Sequence, residues 1–284
     1  MAEPRSFLAQ SVSRARIALR PRSRVRGLIP HGPRHTESAG WDSFPLDNSP
    51  LEPGEASALA EAHTGRLMHK WRHYPQIYDM EFGPYRAGFR TADGTARPLR
   101  FLEIGVAEGG SQVFWRSFFG PEATIFGVDI DPSCAGLVDP TVAQVRIGSQ
   151  DDPAFLRSVV EEMGGVDVVL DDGSHISEHQ QASFETLWPL LSDGGVYVIE
   201  DVHTAYWPGF HGGLRLPGTA VEQAKDLVDD LHRWYYRAEG AASRPARPDV
   251  WSVRFYDSVI ALHKRSRSAP ARFTRGAEQR ADVV

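Results

Sequence analysis

One cysteine, Cys134, occurs in 284 residues. Its isolation excludes disulfides within the chain and thiolate metal clusters, and it fits a reducing cytoplasm. No apolar run approaches the ~18 residues that a membrane span requires. Basic charge is not in excess either: a formal net charge of -6 gives no support to a nucleic-acid binder. The G-x-G-x-x-G fingerprint that nests a pyrophosphate at a helix start is also missing. What remains is ordinary globular composition, 41% hydrophobic and 24% charged, in a length that holds one large domain or two small ones.

Residues 1–52 differ from the rest. The first forty carry eight arginines and no lysine against only Glu3 and Glu37, with Pro21, Pro30 and Pro33 interrupting any long helix. They read as a basic extension, disordered or loosely docked. Residues 53–264 carry the pattern of a folded domain, and the basic, small-residue stretch 265–284 reads as a disordered tail. There is no internal repeat.

Within the domain the hydrophobic pattern predicts helices over 55–71 and 74–82, then a strand over 99–104. A glycine-bearing turn follows, Glu103-Ile104-Gly105-Val106-Ala107-Glu108-Gly109-Gly110, and then a helix over 111–119 and a strand over 124–128 that ends on Asp129. Strand, turn, helix, strand and acid make a βαβ unit, the usual opening of a nucleotide-binding sheet. The turn suits a ligand without a pyrophosphate, and Asp129 is placed to accept hydrogen bonds from both hydroxyls of a ribose. A third strand, 142–147, leads into Gly148-Ser149-Gln150-Asp151, polar residues suited to an adenine edge. The helix over 152–162 is expected to take its cap from Ser149 or Asp151.

Two further strands, 166–170 and 196–199, run into acids. The first is followed by Asp171-Asp172-Gly173-Ser174-His175 and the second by Glu200-Asp201. Acids at the ends of buried strands are costly unless something needs them there. On parallel neighbouring strands about 4.8 Å apart their carboxylates converge at one sheet edge, an arrangement a divalent metal wants, with His175 beside it as a base. Ser177-Glu178-His179-Gln180 has the pattern of a capping box opening the next helix. Between Asp201 and about Gly218 lies an irregular aromatic, glycine- and proline-bearing loop in which Tyr206 and Trp207 are candidate acceptor contacts. An amphipathic helix over 221–237 and two strands, 251–256 and 259–263, joined by a turn at Asp257-Ser258, close the domain.

The 103–110 turn, Asp129, the D-D-G-S-H stretch and Val198-Ile199-Glu200-Asp201 together resemble the class I S-adenosylmethionine-dependent methyltransferases. More narrowly they are similar to the metal-dependent sugar O-methyltransferases of macrolide and related antibiotic pathways. The likeness covers roughly residues 63–264. It implies an α/β fold, Rossmann-like, with a doubly wound seven-stranded sheet whose last strand is antiparallel. It also implies Mg2+ held by Asp172, Glu200 and Asp201, with His175 as general base. S-adenosyl-L-methionine would be bound by Glu103, Gly105, Glu108, Gly109, Asp129, Ser149, Gln150, Asp151 and Asp171, with Gly105 under its methionine part. Asp171 stands either as a metal ligand or as the partner of the cofactor's amino group. The segment Thr64-Gly65-Arg66-Leu67-Met68-His69-Lys70-Trp71 matches the family's T-D-K-W-G region loosely. The resemblance favours a homo-oligomer, and a small glycoside as substrate. Two other readings are a catechol-type small-molecule O-methyltransferase, which would bring an asparagine into the metal set, and a non-catalytic cofactor-binding scaffold. A nucleic-acid methyltransferase is disfavoured by the charge and by the lack of an N-P-P-Y or D-P-P-Y element after the fourth strand. A nicotinamide-dependent oxidoreductase is disfavoured by the turn.

Overall fold

The structure, a computed structural model, describes residues 44–236 and 247–276. The chain divides into two units, Met1–Asn48 and Ser49–Val284, and every element below belongs to the second. The basic extension expected over 1–52 falls outside the described residues as far as residue 43. So do Arg237, at the end of a predicted helix, and the tail beyond Gly276.

Seven strands form one sheet: β1 (Arg100–Ile104), β2 (Thr124–Asp129), β3 (Gln144–Ile147), β4 (Val166–Asp171), β5 (Leu191–Ile199), β6 (Val250–Tyr256) and β7 (Val259–Lys264). Their order is β3-β2-β1-β4-β5-β7-β6. The first five are parallel, and β7 runs antiparallel to both β5 and β6. This is the seven-stranded α/β architecture with its last strand reversed. β4 is buried at every position, which is why its sequence is a near-continuous apolar run rather than an alternating one.

Helices cover both faces. α1 (Glu55–Glu61), α2 (Tyr74–Glu81) and α3 (Gly110–Phe119) share a core with Phe101, Val168 and Val198 that is rich in rings, among them Tyr78, Phe82, Trp115 and Phe119. α4 (Pro153–Met163), α5 (Ser177–Leu187) and α6 (Ala220–Leu231) pack on the other face against Leu102, Val169 and Tyr197. Each fully buried large side chain contributes about 1.5–3 kcal/mol. No helix among the described residues is long and apolar enough to cross a membrane.

Local capping signals fix the helix ends less firmly than burial fixes the strands. The first helix stops at Glu61, ten residues before the predicted end, and residues 62–73 run irregularly. Asp152 caps α4, accepting from the backbone N–H groups of Ala154 and Phe155, in place of Ser149 or Asp151; Pro153 then fills the first helical position, where no donor is needed. The capping box does not form at α5. Ile176 is the N-cap, and Ser177 lies one residue inside the helix with its hydroxyl buried and unbonded. Arg265–Arg267 continue past β7 onto the domain. The Arg267 guanidinium donates to the carbonyls of Pro248, Leu231 and Asp230, satisfying the end of α6.

Glu81 ties α2 to the sheet edge. Its carboxylate accepts from His263 Nε2 at 2.6 Å, from Arg254 Nη1 at 2.9 Å and from the Tyr256 hydroxyl. Burial alone would raise its pKa; the three donors overcome this and hold it at about 2. A lowered carboxylate pKa stabilises the fold above the unfolded value and loses that contribution as pH falls through the folded one. Glu81→Gln is therefore expected to cost about 1–3 kcal/mol at pH 7. The gap to wild type should narrow between pH 4.5 and about 2, as read by denaturant melts across pH. A gap independent of pH would show that the charge of Glu81 is not what matters.

Candidate active site

The carboxyl ends of the central strands finish in register. Ile104 pairs with Asp171 and Asp171 with Ile199, and the ladder runs one step further. The Gly105 N–H donates to the Val128 carbonyl, Asp172 N–H to Ile104, and Glu200 N–H to Asp171. Asp129, Gly105, Asp172 and Glu200 therefore stand side by side along one sheet edge. Gly105 has φ +96°, and a β-carbon there would collide with the Asp172 carbonyl. The close approach of β1 and β4 needs a glycine at that point.

Three groups converge beyond that edge. One ligand atom each from Asp172, His175 and Asp201 lie within 4.8 Å of one another. His175 Nε2 is 3.9 Å from Asp172 Oδ1 and 3.6 Å from Asp201 Oδ2. His175 and Asp201 both adopt left-handed backbone angles, φ 57° and 55°, the kind of strain that persists where surrounding structure over-determines a site. The Asp201 Oδ1 atom is held from behind by the Tyr74 hydroxyl at 2.5 Å and Trp71 Nε1 at 3.0 Å, which leaves Oδ2 facing His175. Burial lowers the His175 pKa and so favours a neutral imidazole.

Glu200 lies beside this trio but pairs differently. Its Oε2 accepts from Lys70 Nζ at 2.7 Å, and the same ammonium bonds Asp172 Oδ2 at 2.5 Å. Its Oε1 is buried beside the Tyr78 hydroxyl, with no closely formed hydrogen bond. Burial, with crowding by Asp172 and Asp201, pushes Glu200 up to about 8 against the opposing pull of Lys70. Burial and Asp172 push Asp201 up to about 7. Crowded, desolvated carboxylates are what a hard divalent cation relieves. The donor set fits such an ion.

The remaining expected residues divide into surface and interior. Asp171 turns away from the metal cluster: Ser183 Oγ (2.5 Å) and the Tyr197 hydroxyl (2.9 Å) donate to Oδ2, and Gln150 Nε2 (3.1 Å) to Oδ1. Gln150 Oε1 in turn accepts from the Ser174 N–H at 2.7 Å. The Gln150 side chain thus ties the end of β3 to the loop after β4 instead of presenting its amide to a ligand. Glu103 is also interior, accepting from Ser111 Oγ at 2.9 Å and from Gln112 Nε2; burial raises it to about 8. Asp129 Oδ2 accepts from the N–H groups of Val106 and Ala107, and its Oδ1 from Asp131. Those bonds fix the turn and leave lone pairs for a ligand. Glu108, Ser149 and Asp151 remain at the surface, while Gly109, buried and at φ +81°, opens α3. Ser149 Oγ donates to Asp151.

In the loop after β5, Tyr206 is 44% exposed. Trp207 packs edge-on against His203, ring centroids 4.7 Å apart, and lies 6.0 Å from Phe210, which is itself 6.3 Å from His175. Lys70 belongs to this site as well, as do Trp71 and Tyr74 through their bonds to Asp201, and Phe210 beside His175. The only sequence signal for Lys70 was the Lys-Trp pair of the loosely matching T-D-K-W-G region.

Residues 102–202 match the methyltransferase-domain family. The chain carries a methyltransferase domain. The domain is similar to 8-demethyl-8-(2-methoxy-alpha-L-rhamnosyl)-tetracenomycin-C 3'-O-methyltransferase of Streptomyces olivaceus, 40% identical over 223 residues, covering 75% of this chain and 54% of the relative. It is also similar to demethylmacrocin O-methyltransferase of Streptomyces fradiae, 39% identical, covering 72% and 53%. Among solved structures it resembles MycE, a methyltransferase of the mycinamycin biosynthetic pathway in complex with Mg and SAH, with TM-score 0.63 and 31% identity, covering 76% of this chain and 55% of that one. The methyltransferase domain has the class I fold, and the chain spans about half the length of these relatives.

Proposed function

We propose that this chain is an O-methyltransferase that moves the methyl group of S-adenosylmethionine to a sugar hydroxyl of a glycosylated natural product. The observation that carries the reading is the convergence of Asp172, His175 and Asp201 at the carboxyl edge of the sheet, with Glu200 adjoining. Similarity to an O-methyltransferase named for a rhamnosyl-bearing tetracenomycin supports the acceptor class.

Asp172, Glu200 and Asp201 are the residues suited to hold Mg2+, which when bound lowers the pKa of a coordinated hydroxyl and orients it. S-adenosylmethionine supplies the methyl group by in-line displacement, for which positioning is a large contribution. Gly105, Glu108, Gly109 and Asp129 form the cofactor's side of the site, with Ser149 and Asp151 toward its adenine. Glu103, Gln150 and Asp171 shape that floor from beneath through their interior bonds. His175, neutral and walled by Phe210, takes the hydroxyl proton at Nε2. Tyr206 and Trp207 contact the acceptor and exclude water from it. The enzyme acts in the cytoplasm as a homo-oligomer, consistent with one cysteine and with the family likeness.

The test is a calorimetric titration of S-adenosylhomocysteine into the protein, first with magnesium and then with excess chelator. Micromolar or tighter binding is expected in both, because the cofactor contacts and the carboxylate cluster are separate sets of residues. No binding in either, by protein shown to be folded, would overturn the methyltransferase assignment of the site.

A further inference from the structure

The metal-ligand set and the observed pairing disagree at one residue. While Lys70 bridges Asp172 and Glu200, the atoms left to converge belong to Asp172, His175 and Asp201. A metal bound to that trio would use the imidazole nitrogen that the reaction needs as its base. A hard ion such as Mg2+ prefers oxygen donors, and Glu200 is the oxygen donor at hand.

We propose that Lys70 is a displaceable counter-cation: it occupies Asp172 and Glu200 in the metal-free protein and withdraws when a divalent metal binds, bringing Glu200 into the donor set and leaving His175 Nε2 free for the proton. The inference rests on the metal reading of the previous section. Three features of the chain support it. The Lys70 side chain, 9% exposed, is held by two carboxylates at 2.5 and 2.7 Å, so its present position is specific. A lysine stem is flexible and its ammonium readily hydrated, so withdrawal needs no new partner in the protein. The backbone that carries Lys70 is irregular, and Met68 and Trp71 on either side pack on the ring-rich core, so the movement belongs to the lysine side chain and leaves the core closed. An ammonium and a dication cannot share the same two carboxylate oxygens without strong repulsion.

The segment that carries Lys70 also reaches the cofactor side. The carbonyls of Arg66 and Leu67 lie directly on the start of α3, where a β-carbon on Gly110 would collide with both. Arg66 Nη1 donates to the Glu108 carbonyl at 3.4 Å. Residues 64–71 are thus one strap across the glycine turn and the carboxylate cluster.

These 284 residues hold only three lysines, Lys70, Lys225 and Lys264, so pulse acetylation of this chain read by mass spectrometry resolves each one. Without metal, Lys70 should label at least tenfold more slowly than the half-exposed Lys225. At saturating magnesium Lys70 labelling should rise several-fold while Lys225 stays constant. In parallel, Lys70→Met should bind magnesium at least tenfold more tightly by calorimetry, because the competing charge is gone. Magnesium heat in wild type with unchanged Lys70 labelling would overturn the inference and leave the metal reading standing. Equal or weaker magnesium binding by folded Lys70→Met would do the same. No magnesium heat in either protein would overturn the metal reading and this inference with it. The labelling arm needs no variant, so it decides the question even if Lys70→Met does not fold.

Discussion

His175→Ala is expected to reduce methyl transfer by about 10²–10⁴-fold, the usual contribution of a positioned general base, while S-adenosylhomocysteine binding stays within about threefold of wild type. The imidazole is the only nitrogen base among the described residues that faces both Asp172 and Asp201, at 3.9 and 3.6 Å, and burial keeps it neutral. Its backbone is pinned at φ 57°, with the Thr204 hydroxyl on its carbonyl, so truncation removes the base without re-aiming the loop. Asp172→Ala should be at least as damaging to turnover and equally mild for cofactor binding. Asp172 is the residue shared between the Lys70 pair and the converging trio. The readout is turnover with labelled S-adenosylmethionine against a panel of glycosides, beside calorimetry of cofactor product. Wild-type-like turnover in either variant removes that residue from the mechanism; loss of cofactor binding in both would make the two sets of residues one site.

The parts of this molecule that could be read from sequence are those governed by burial. β1 and β4 announce themselves as apolar runs because both faces of the sheet are covered, and the acids that follow stand out because nothing apolar explains them. Register then did the rest: once β1, β4 and β5 are parallel neighbours, Gly105, Asp172 and Glu200 must end side by side. What the sequence hid were choices between equivalent polar groups. Asp171 and Asp172 are adjacent carboxylates, and strand alternation sends one into the Ser183–Tyr197 interior and the other to the site. Gln150 looked like a ligand contact because it is polar at a strand end, yet it bonds Asp171 and Ser174. Lys70 was illegible for a different reason. It lies 102 residues from Asp172 and 130 from Glu200, in a stretch whose helical pattern was expected to continue past Glu61, and no local rule connects it to the strand ends.

The same strand offers a contrast that separates structural from chemical acids. Asp167, near the start of β4, is fully buried at the sheet's opposite end. Arg97 grips it through both terminal nitrogens, at 2.5 and 2.6 Å; Ser192 Oγ donates at 2.6 Å and the Arg100 N–H at 3.0 Å. Every acceptor position is thus spoken for, and no ligand atom is needed to explain the charge. Removing one partner of a buried, fully bonded pair leaves the other uncompensated, so Asp167→Ala should cost about 3–5 kcal/mol. In a domain of this size that lowers Tm by roughly 6–20 °C. Asp172→Ala should move Tm far less, because it relieves repulsion in a cluster where Glu200 and Asp201 are already pushed up to about 8 and 7. Calorimetric melts of the two variants make the comparison, with cofactor binding measured below the transition of each. A loss under about 1 kcal/mol for Asp167→Ala would mean that desolvation cancels the Arg97 pair. A large loss for Asp172→Ala would make its bonds to Lys70 a structural strut instead of a charge held ready for exchange.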